Sequence, residues 1–273
     1  MFTDSHNHTS QFSGDAHMTA EELLSAAKSQ GLGAVVVTEH YELDYPHDIG
    51  KPMFFSIDAY FEAFRKWSSM LPDGLSLYSG IELGYQPHLC AVYDNLISTY
   101  PFDSVILSNH LFGGLDPYFF RDCYNNPKAQ VYASYIDELT EMVLSCSEFD
   151  IVGHYDYIMR YSSYEDPAMK YVDAPESFDR FLGALVHKKK SLEINTRSIQ
   201  KLIEKGFVNI WPDRQILTRY QELGGDRITI GSDSHDPSTL GFYFEETAAF
   251  LKSCGFRELM TYVGRKEIRT PIL

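Results

Sequence analysis

Short runs of β-branched and aliphatic residues alternate along this chain with longer stretches of helical, amphipathic pattern. The first kind predicts strands at 2–4, 34–38, 76–81, 104–108, 151–152, 191–194 and 228–230. The second predicts helices at 20–30, 57–70, 130–147, 174–189, 213–223 and 238–253. Thr19, followed three residues later by Glu22, is a capping-box signature that opens the first of these helices. Glu245-Glu246 falls inside the last helix and reads as a solvated face. No repeat, low-complexity tract or Gly/Ser linker divides the pattern, so residues 1–273 are expected to form a single domain. Strand–helix alternation repeated about seven times implies an α/β fold with a parallel sheet. Convergent strand ends favour a closed barrel over an open sheet, and barrel chemistry sits at the C-terminal ends of the strands.

The histidines fit that rule. Asp4-Ser5-His6-Asn7-His8 lies at the mouth of the first predicted strand, where alternate residues point to one side, so Asp4, His6 and His8 are expected to converge. Six of the ten histidines fall at or just past a predicted strand's C-terminal end: His6, His8, His40, His110, His154 and His235. A single strand-end histidine is ordinarily a hydrogen-bonded packing residue; six at equivalent positions are not an accident of packing. Carboxylates occupy the same rim, at Asp4, Glu39, Glu82 and Asp233, with Asp15 in the loop after the first strand. Imidazole and carboxylate together suit borderline divalent metals such as zinc, iron or manganese. So many ligand-type groups exceed one tetrahedral site, which implies two or three ions.

Composition narrows the class. Hydrophobic residues make up 44% and charged residues 22%, as in an ordinary soluble globular protein. No apolar stretch reaches membrane-spanning length and the first residues lack a signal-peptide layout, so a cytoplasmic protein without a membrane partner is expected. Cys90, Cys123, Cys146 and Cys254 show no Cys-x-x-Cys spacing and read as reduced, mostly buried thiols. The formal charge of −15 argues against nucleic acid as a partner, since a phosphate backbone wants a basic face. Solvated acidic surface accounts for most of that charge, and bound cations offset part of it.

Asp4-x-His6-x-His8, Thr38-Glu39-His40, Gly80-Ile81-Glu82, Ser108-Asn109-His110, Gly153-His154 and Gly231-Ser232-Asp233-Ser234-His235 occur in an order that resembles the polymerase and histidinol phosphatase superfamily. The resemblance spans Asp4 to His235. The chain's length, its Thr-Glu-His motif and Glu193-Ile194-Asn195 are most similar to the superfamily's stand-alone histidinol-phosphate phosphatase branch. The resemblance implies a distorted (β/α)7 barrel with a trinuclear metal site. Position by position, it implies His6, His8, Glu82 and Asp233 around a first metal. Glu82 would bridge to a second metal held by His110 and His154, and Asp15, His40 and His235 would hold a third. Many relatives carry histidine where this chain has Asp15; His17, two residues on, is the competing candidate and ranks lower. Asp4 and Glu39 are expected to orient ligand imidazoles from behind rather than to bind metal themselves.

These groups support hydrolysis of a phosphate monoester, and the resemblance implies L-histidinol phosphate as the ester, giving L-histidinol and inorganic phosphate. Metals held there would be expected to make a water nucleophilic near neutral pH for in-line attack on phosphorus. Asp233 or His235 assists the leaving oxygen. Neither a Cys-x5-Arg loop nor an Asp-x-Asp-x-Thr/Val motif signals a covalent phosphoenzyme. Arg160 and Arg197 follow predicted strands on the same rim and are the expected phosphate contacts. Glu42, with Asp44, Tyr45, Phe112, Asp116, Tyr118 and Phe119, is expected to wall an acidic, aromatic pocket for a cationic substrate. The Gly113-Gly114 segment is either a mobile lid or a tight turn. The competing functions are hydrolysis of another monoester such as phosphotyrosine, a nuclease, and a non-catalytic metal-stabilised binding domain. The nuclease is disfavoured by charge, and the binding domain by the completeness of the ligand set.

Overall fold

The computed structural model describes residues 1–47 and 52–272. Seven strands form one parallel sheet in chain order. They are β1 (Thr3–Asn7), β2 (Ala34–Tyr41), β3 (Ser76–Gly84), β4 (Ser104–Ser108), β5 (Ile151–Val152), β6 (Ser191–Asn195) and β7 (Ile228–Gly231). β1 and β7 approach through an Asn7–Ser234 bridge and the Ser5 hydroxyl, which donates to Ile230 O at 2.7 Å, so the sheet is a nearly closed barrel. β2 is buried along its whole length, as a strand covered on both faces must be, and its continuous apolar start gives the strongest strand signal in the chain.

The connecting helices are α1 (Ala20–Ser29), α2 (Ile57–Ser68), α3 (Cys90–Thr99), α4 (Lys128–Ser145), α5 (Pro175–Lys188), α6 (Thr196–Glu204), α7 (Arg214–Glu222) and α8 (Phe244–Ser253). The capping box on α1 is present, with Thr19 and Glu22 bonded reciprocally. Two helices escape the periodic pattern. α3 has no side-chain cap and follows a short turn at Pro87–Leu89. α6 starts at Thr196, directly after β6, with Asn195 as its cap accepting from Arg197 N at 3.0 Å. The last predicted helix starts six residues late, because residues 237–239 form a separate turn. Among the described residues no helix is long and apolar enough to cross a membrane.

The cysteine expectation needs correcting. Cys90 and Cys146 form a disulfide between the start of α3 and the end of α4, while Cys123 and Cys254 are half-buried thiols. A bridge between residues 56 apart leaves no local spacing to read.

A C-terminal hairpin, β8 (Glu258–Val263) and β9 (Lys266–Pro271), was likewise not expected. Its two-residue turn puts Gly264 and Arg265 at φ 55° and 63°, a left-handed pair in which arginine is uncommon. Distant carboxylates hold it: Gly264 N donates to Asp103 Oδ1 at 2.8 Å and Arg265 Nε to Asp150 Oδ2 at 2.6 Å. Met260 and Tyr262 pack on Ile106 and Ile151 as a plug away from the catalytic rim, with Tyr262 hydroxyl 2.9 Å from Ser191 Oγ. Met260→Ala is expected to cost about 3 kcal/mol of unfolding free energy through the cavity it leaves. Urea denaturation checks this, with bound metal per chain unchanged because the plug is remote from the strand ends.

Candidate active site

The strand order puts the expected ligands in one ring. His6 lies in β1 with His8 just beyond it; His40 on β2 and Glu82 on β3 stand in direct register. His110 and His154 each come two residues after a strand, and Asp233 and His235 follow β7. Two glycines make room for the ring. A Cβ on Gly231 would stand 2.3 Å from Glu193 Oε1 and 2.6 Å from His6 Cβ, and one on Gly153 would stand 2.2 Å from Ser108 Oγ.

Glu82 is fully buried at the centre. Its Oε1 faces His154 Nε2 at 2.9 Å and His110 Nε2 at 3.3 Å, and accepts from the Ser108 hydroxyl at 2.7 Å. Its Oε2 faces His40 Nδ1 at 2.7 Å, His6 Nε2 at 3.4 Å and His8 Nε2 at 3.6 Å. His8 Nε2 is also 3.5 Å from Asp233 Oδ1. On the open side His40 and His235 approach Nε2 to Nε2 at 3.3 Å, with Asp15 Oδ2 3.0 Å from His235 Nε2 and 3.7 Å from His40 Nε2. The carboxylate of Asp15, 47% exposed, therefore reaches the third set; His17 is exposed and meets His235 through its backbone N–H.

This arrangement fits divalent cations on chemical grounds. His6 Nε2, His8 Nε2, His40 Nδ1 and Glu82 Oε2 are buried without a hydrogen-bond partner among the described residues, although they crowd one another. His110 and His154 likewise meet Nε2 to Nε2 at 3.2 Å. Facing lone pairs in a dry site are costly unless a cation lies between them. Three of the imidazoles have their other ring nitrogen held from behind, as metal-binding imidazoles usually do. His6 Nδ1 meets Glu193 Oε1 at 2.8 Å, His110 Nδ1 meets Glu42 Oε1 at 2.5 Å, and His8 Nδ1 lies 3.3 Å from Ser13 Oγ. Four groups of three histidine or carboxylate ligands, including His6–His8–Asp233 and His6–Glu82–His154, converge closely enough to hold an ion.

The supporting residues differ from expectation in three places. Asp4 does not orient an imidazole: a β-bulge between Asp4 and Asn7 turns it aside, and its carboxylate accepts from Ser232 N at 2.9 Å and Gly241 N at 3.0 Å. It thereby pins the loop that carries Asp233, and burial pushes its carboxyl up to about 6. Glu39 acts one step further back than expected. It accepts from the hydroxyls of Thr9 and Ser13 at 2.5 Å, and Ser13 is the group beside His8; burial pushes Glu39 up to about 7. Glu42 was expected to bind substrate, yet it is spent on His110; burial opposes the imidazolium, but Glu42 and then Glu82 push His110 up to about 10. Glu193 entered the sequence reading only as part of the Glu193-Ile194-Asn195 motif, with no role; it backs His6, and its Oε2 also accepts from His154 N at 2.7 Å. Its signal was present: a glutamate between two aliphatic residues in a fully buried strand.

Asp233 occupies left-handed backbone at φ 51°, a strained position for a non-glycine residue. Burial would raise its carboxyl, but Arg197, Arg160 and His6 hold it well below the usual carboxylate range. Arg160 NH1 donates to Asp233 Oδ2 at 2.8 Å, and Arg197 NH1 donates to Asp233 O at 3.1 Å and packs on His235. Above the ring opens a cavity of about 520 Å³ lined by both arginines, Asp116, Tyr45, Tyr157 and Tyr161. Asp116 accepts from Tyr45 OH at 2.5 Å, Tyr157 OH at 3.1 Å and Tyr118 N at 2.8 Å. Phe112 and Leu115 bridge around Gly113-Gly114, so that segment is a tight turn. A larger cleft of about 610 Å³ beside the start of β1 and α8 lies away from the histidine ring.

Residues 4–197 match the PHP domain model. The chain belongs to the PHP domain family. That span omits β7 with Asp233 and His235, but full-length relatives cover them. A protein of Clostridium acetobutylicum named as a probable histidinol-phosphatase is 33% identical over 94% of this chain and 95% of its own length. The histidinol-phosphatase of Lactococcus lactis subsp. lactis is 28% identical over 96% and 95%. The crystal structure of histidinol phosphate phosphatase from that bacterium, complexed with zinc, L-histidinol and phosphate, superimposes at a TM-score of 0.86 and covers 98% of both chains.

Proposed function

We propose that this PHP-domain protein hydrolyses L-histidinol phosphate to L-histidinol and inorganic phosphate, with residues 1–273 acting as one domain. The reading is carried by one observation: the open side of the imidazole–carboxylate ring, Arg160 with its unpartnered buried NH2, and Asp116 line the same cavity. Similarity over nearly the full length of the Lactococcus lactis enzyme supports the choice of substrate.

Three ligand sets are assigned to divalent zinc, manganese or iron: His6, His8, Glu82 and Asp233; Glu82, His110 and His154; Asp15, His40 and His235. Bound there, such ions supply the positive charge that makes water nucleophilic near neutral pH and offsets charge on phosphate. The chain's own residues do the rest. Arg160 and Arg197 grip the phosphate oxygens. The proton that the attacking water loses ends on the departing hydroxymethyl oxygen, and Asp233 and His235, with Oδ1 and Nδ1 3.5 Å apart, are the groups beside that path. Asp116 has about four acceptor positions and spends three on Tyr45, Tyr157 and Tyr118. The fourth is left for the substrate's ammonium or imidazolium, with Tyr157 and Tyr161 as aromatic walls. An ionised phosphate ester does not cross a bilayer unaided, which supports a cytoplasmic setting for the reaction.

The test is inorganic phosphate release from L-histidinol phosphate, phosphotyrosine and p-nitrophenyl phosphate, before and after chelation. A strong preference for L-histidinol phosphate, lost on chelation and restored by zinc or manganese, is expected. Activity confined to the other esters would overturn the substrate, and no hydrolysis by metal-loaded protein would overturn the enzyme.

A further inference from the structure

Arg160 is buried in the short helical turn Tyr157–Tyr161 that follows β5, and its guanidinium is held along two edges. NH1 donates to Asp233 Oδ2 at 2.8 Å and Nε donates to Ser198 Oγ at 3.0 Å. NH2 is buried with no hydrogen-bond partner among the described residues, although Arg160 lines the cavity. Behind the arginine, the Ser198 hydroxyl donates to Asp156 Oδ1 at 2.7 Å. That donation commits the hydroxyl proton and turns an oxygen lone pair toward Nε, so Asp156 sets the direction of the hydroxyl and the hydroxyl sets the rotation of the guanidinium.

We propose that Asp156 and Ser198 are positioning residues of the phosphate site, a buried relay that aims Arg160 NH2 at the ligand oxyanion. The proposal deepens the reading above, because it rests on Arg160 taking the phosphate. Ser198 has no competing role as a helix cap: Asn195 caps α6 through Arg197 N. An arginine side chain has four torsions to settle, and a fork held only by Asp233 could pivot about that bond. Asp233 also faces His8 in the ligand ring, so its charge is shared. Asp156, buried beside Ser198, supplies a second carboxylate to balance the buried guanidinium.

A double-mutant cycle on the metal-loaded enzyme tests the relay. KM for L-histidinol phosphate and Ki for inorganic phosphate are measured for S198A, R160A and the S198A/R160A pair, with metal content and melting temperature alongside. S198A is expected to raise KM and Ki roughly tenfold, with kcat changed less than about threefold and metal content unchanged. R160A is expected to raise them further, and adding S198A to it should change nothing more. Ser198→Thr, which keeps the hydroxyl, should recover most of the affinity. If S198A does not fold, Asp156→Asn in the same cycle reads the same coupling. Unchanged phosphate affinity in R160A would sink the reading of Arg160 itself. A clear R160A effect with no S198A effect, or with effects that multiply in the pair, would sink the relay alone.

Discussion

Glu82→Gln is expected to remove bound metal and lower kcat/KM more than about a hundredfold while the barrel stays folded. Glu82 turns its two oxygens to different histidines, Oε1 to His110 and His154 and Oε2 to His6, His8 and His40. A glutamine keeps the shape but loses the charge, and it places an amide N–H₂ where one set needs a lone pair. The surrounding core does not depend on that charge, because β3 is held by its ladders to β2 and β4. Metal analysis, circular dichroism and phosphate release on one preparation separate the outcomes. Near-normal turnover with a full metal complement would remove Glu82 from the bridging position.

Asp116→Asn should separate recognition from chemistry. The expected loss is one to two orders of magnitude in kcat/KM for L-histidinol phosphate, the scale of a charge-assisted hydrogen bond taken from a buried site. Hydrolysis of p-nitrophenyl phosphate, which carries no cation, should change less than about threefold. The distinction follows from position. Asp116 is tied to Tyr45 and Tyr157 on the cavity wall and is absent from the convergent ligand groups. Equal losses on both substrates would instead make Asp116 a structural support for the wall.

Much of this site was legible locally. A ligand-type residue directly after a β-branched run is visible wherever strand and ligand are neighbours in sequence. His6, His8, His40, Glu82, His110, His154, Asp233 and His235 all have that form, and the strand order brought all of them to one rim. The resemblance to a known family then implied a grouping into sets, and in the structure Asp15 Oδ2 lies 3.0 Å from His235 Nε2 and 3.7 Å from His40 Nε2. Where reading failed, the deciding contact was remote. The β8–β9 turn depends on Asp103 and Asp150, and the Cys90–Cys146 bridge joins two helices far apart in sequence. Glu42 was assigned to substrate because it follows His40; its partner is His110, 68 residues on. Asp4 was assigned to the imidazoles by strand alternation, and a bulge set by pairing with β2 broke that alternation.

The sequence by itself therefore determined the barrel, the ligand-type residues on its rim and the chemistry such residues can support. These follow from periodicity and residue type, which act over a few neighbouring positions. Only the tertiary structure decided which buried polar group each carboxylate serves: Glu193 on His6, Glu42 on His110, Asp4 on the Asp233 loop and Asp156 on Ser198. A buried donor or acceptor must find a partner, but the identity of that partner depends on which strands lie side by side, and no local pattern records it.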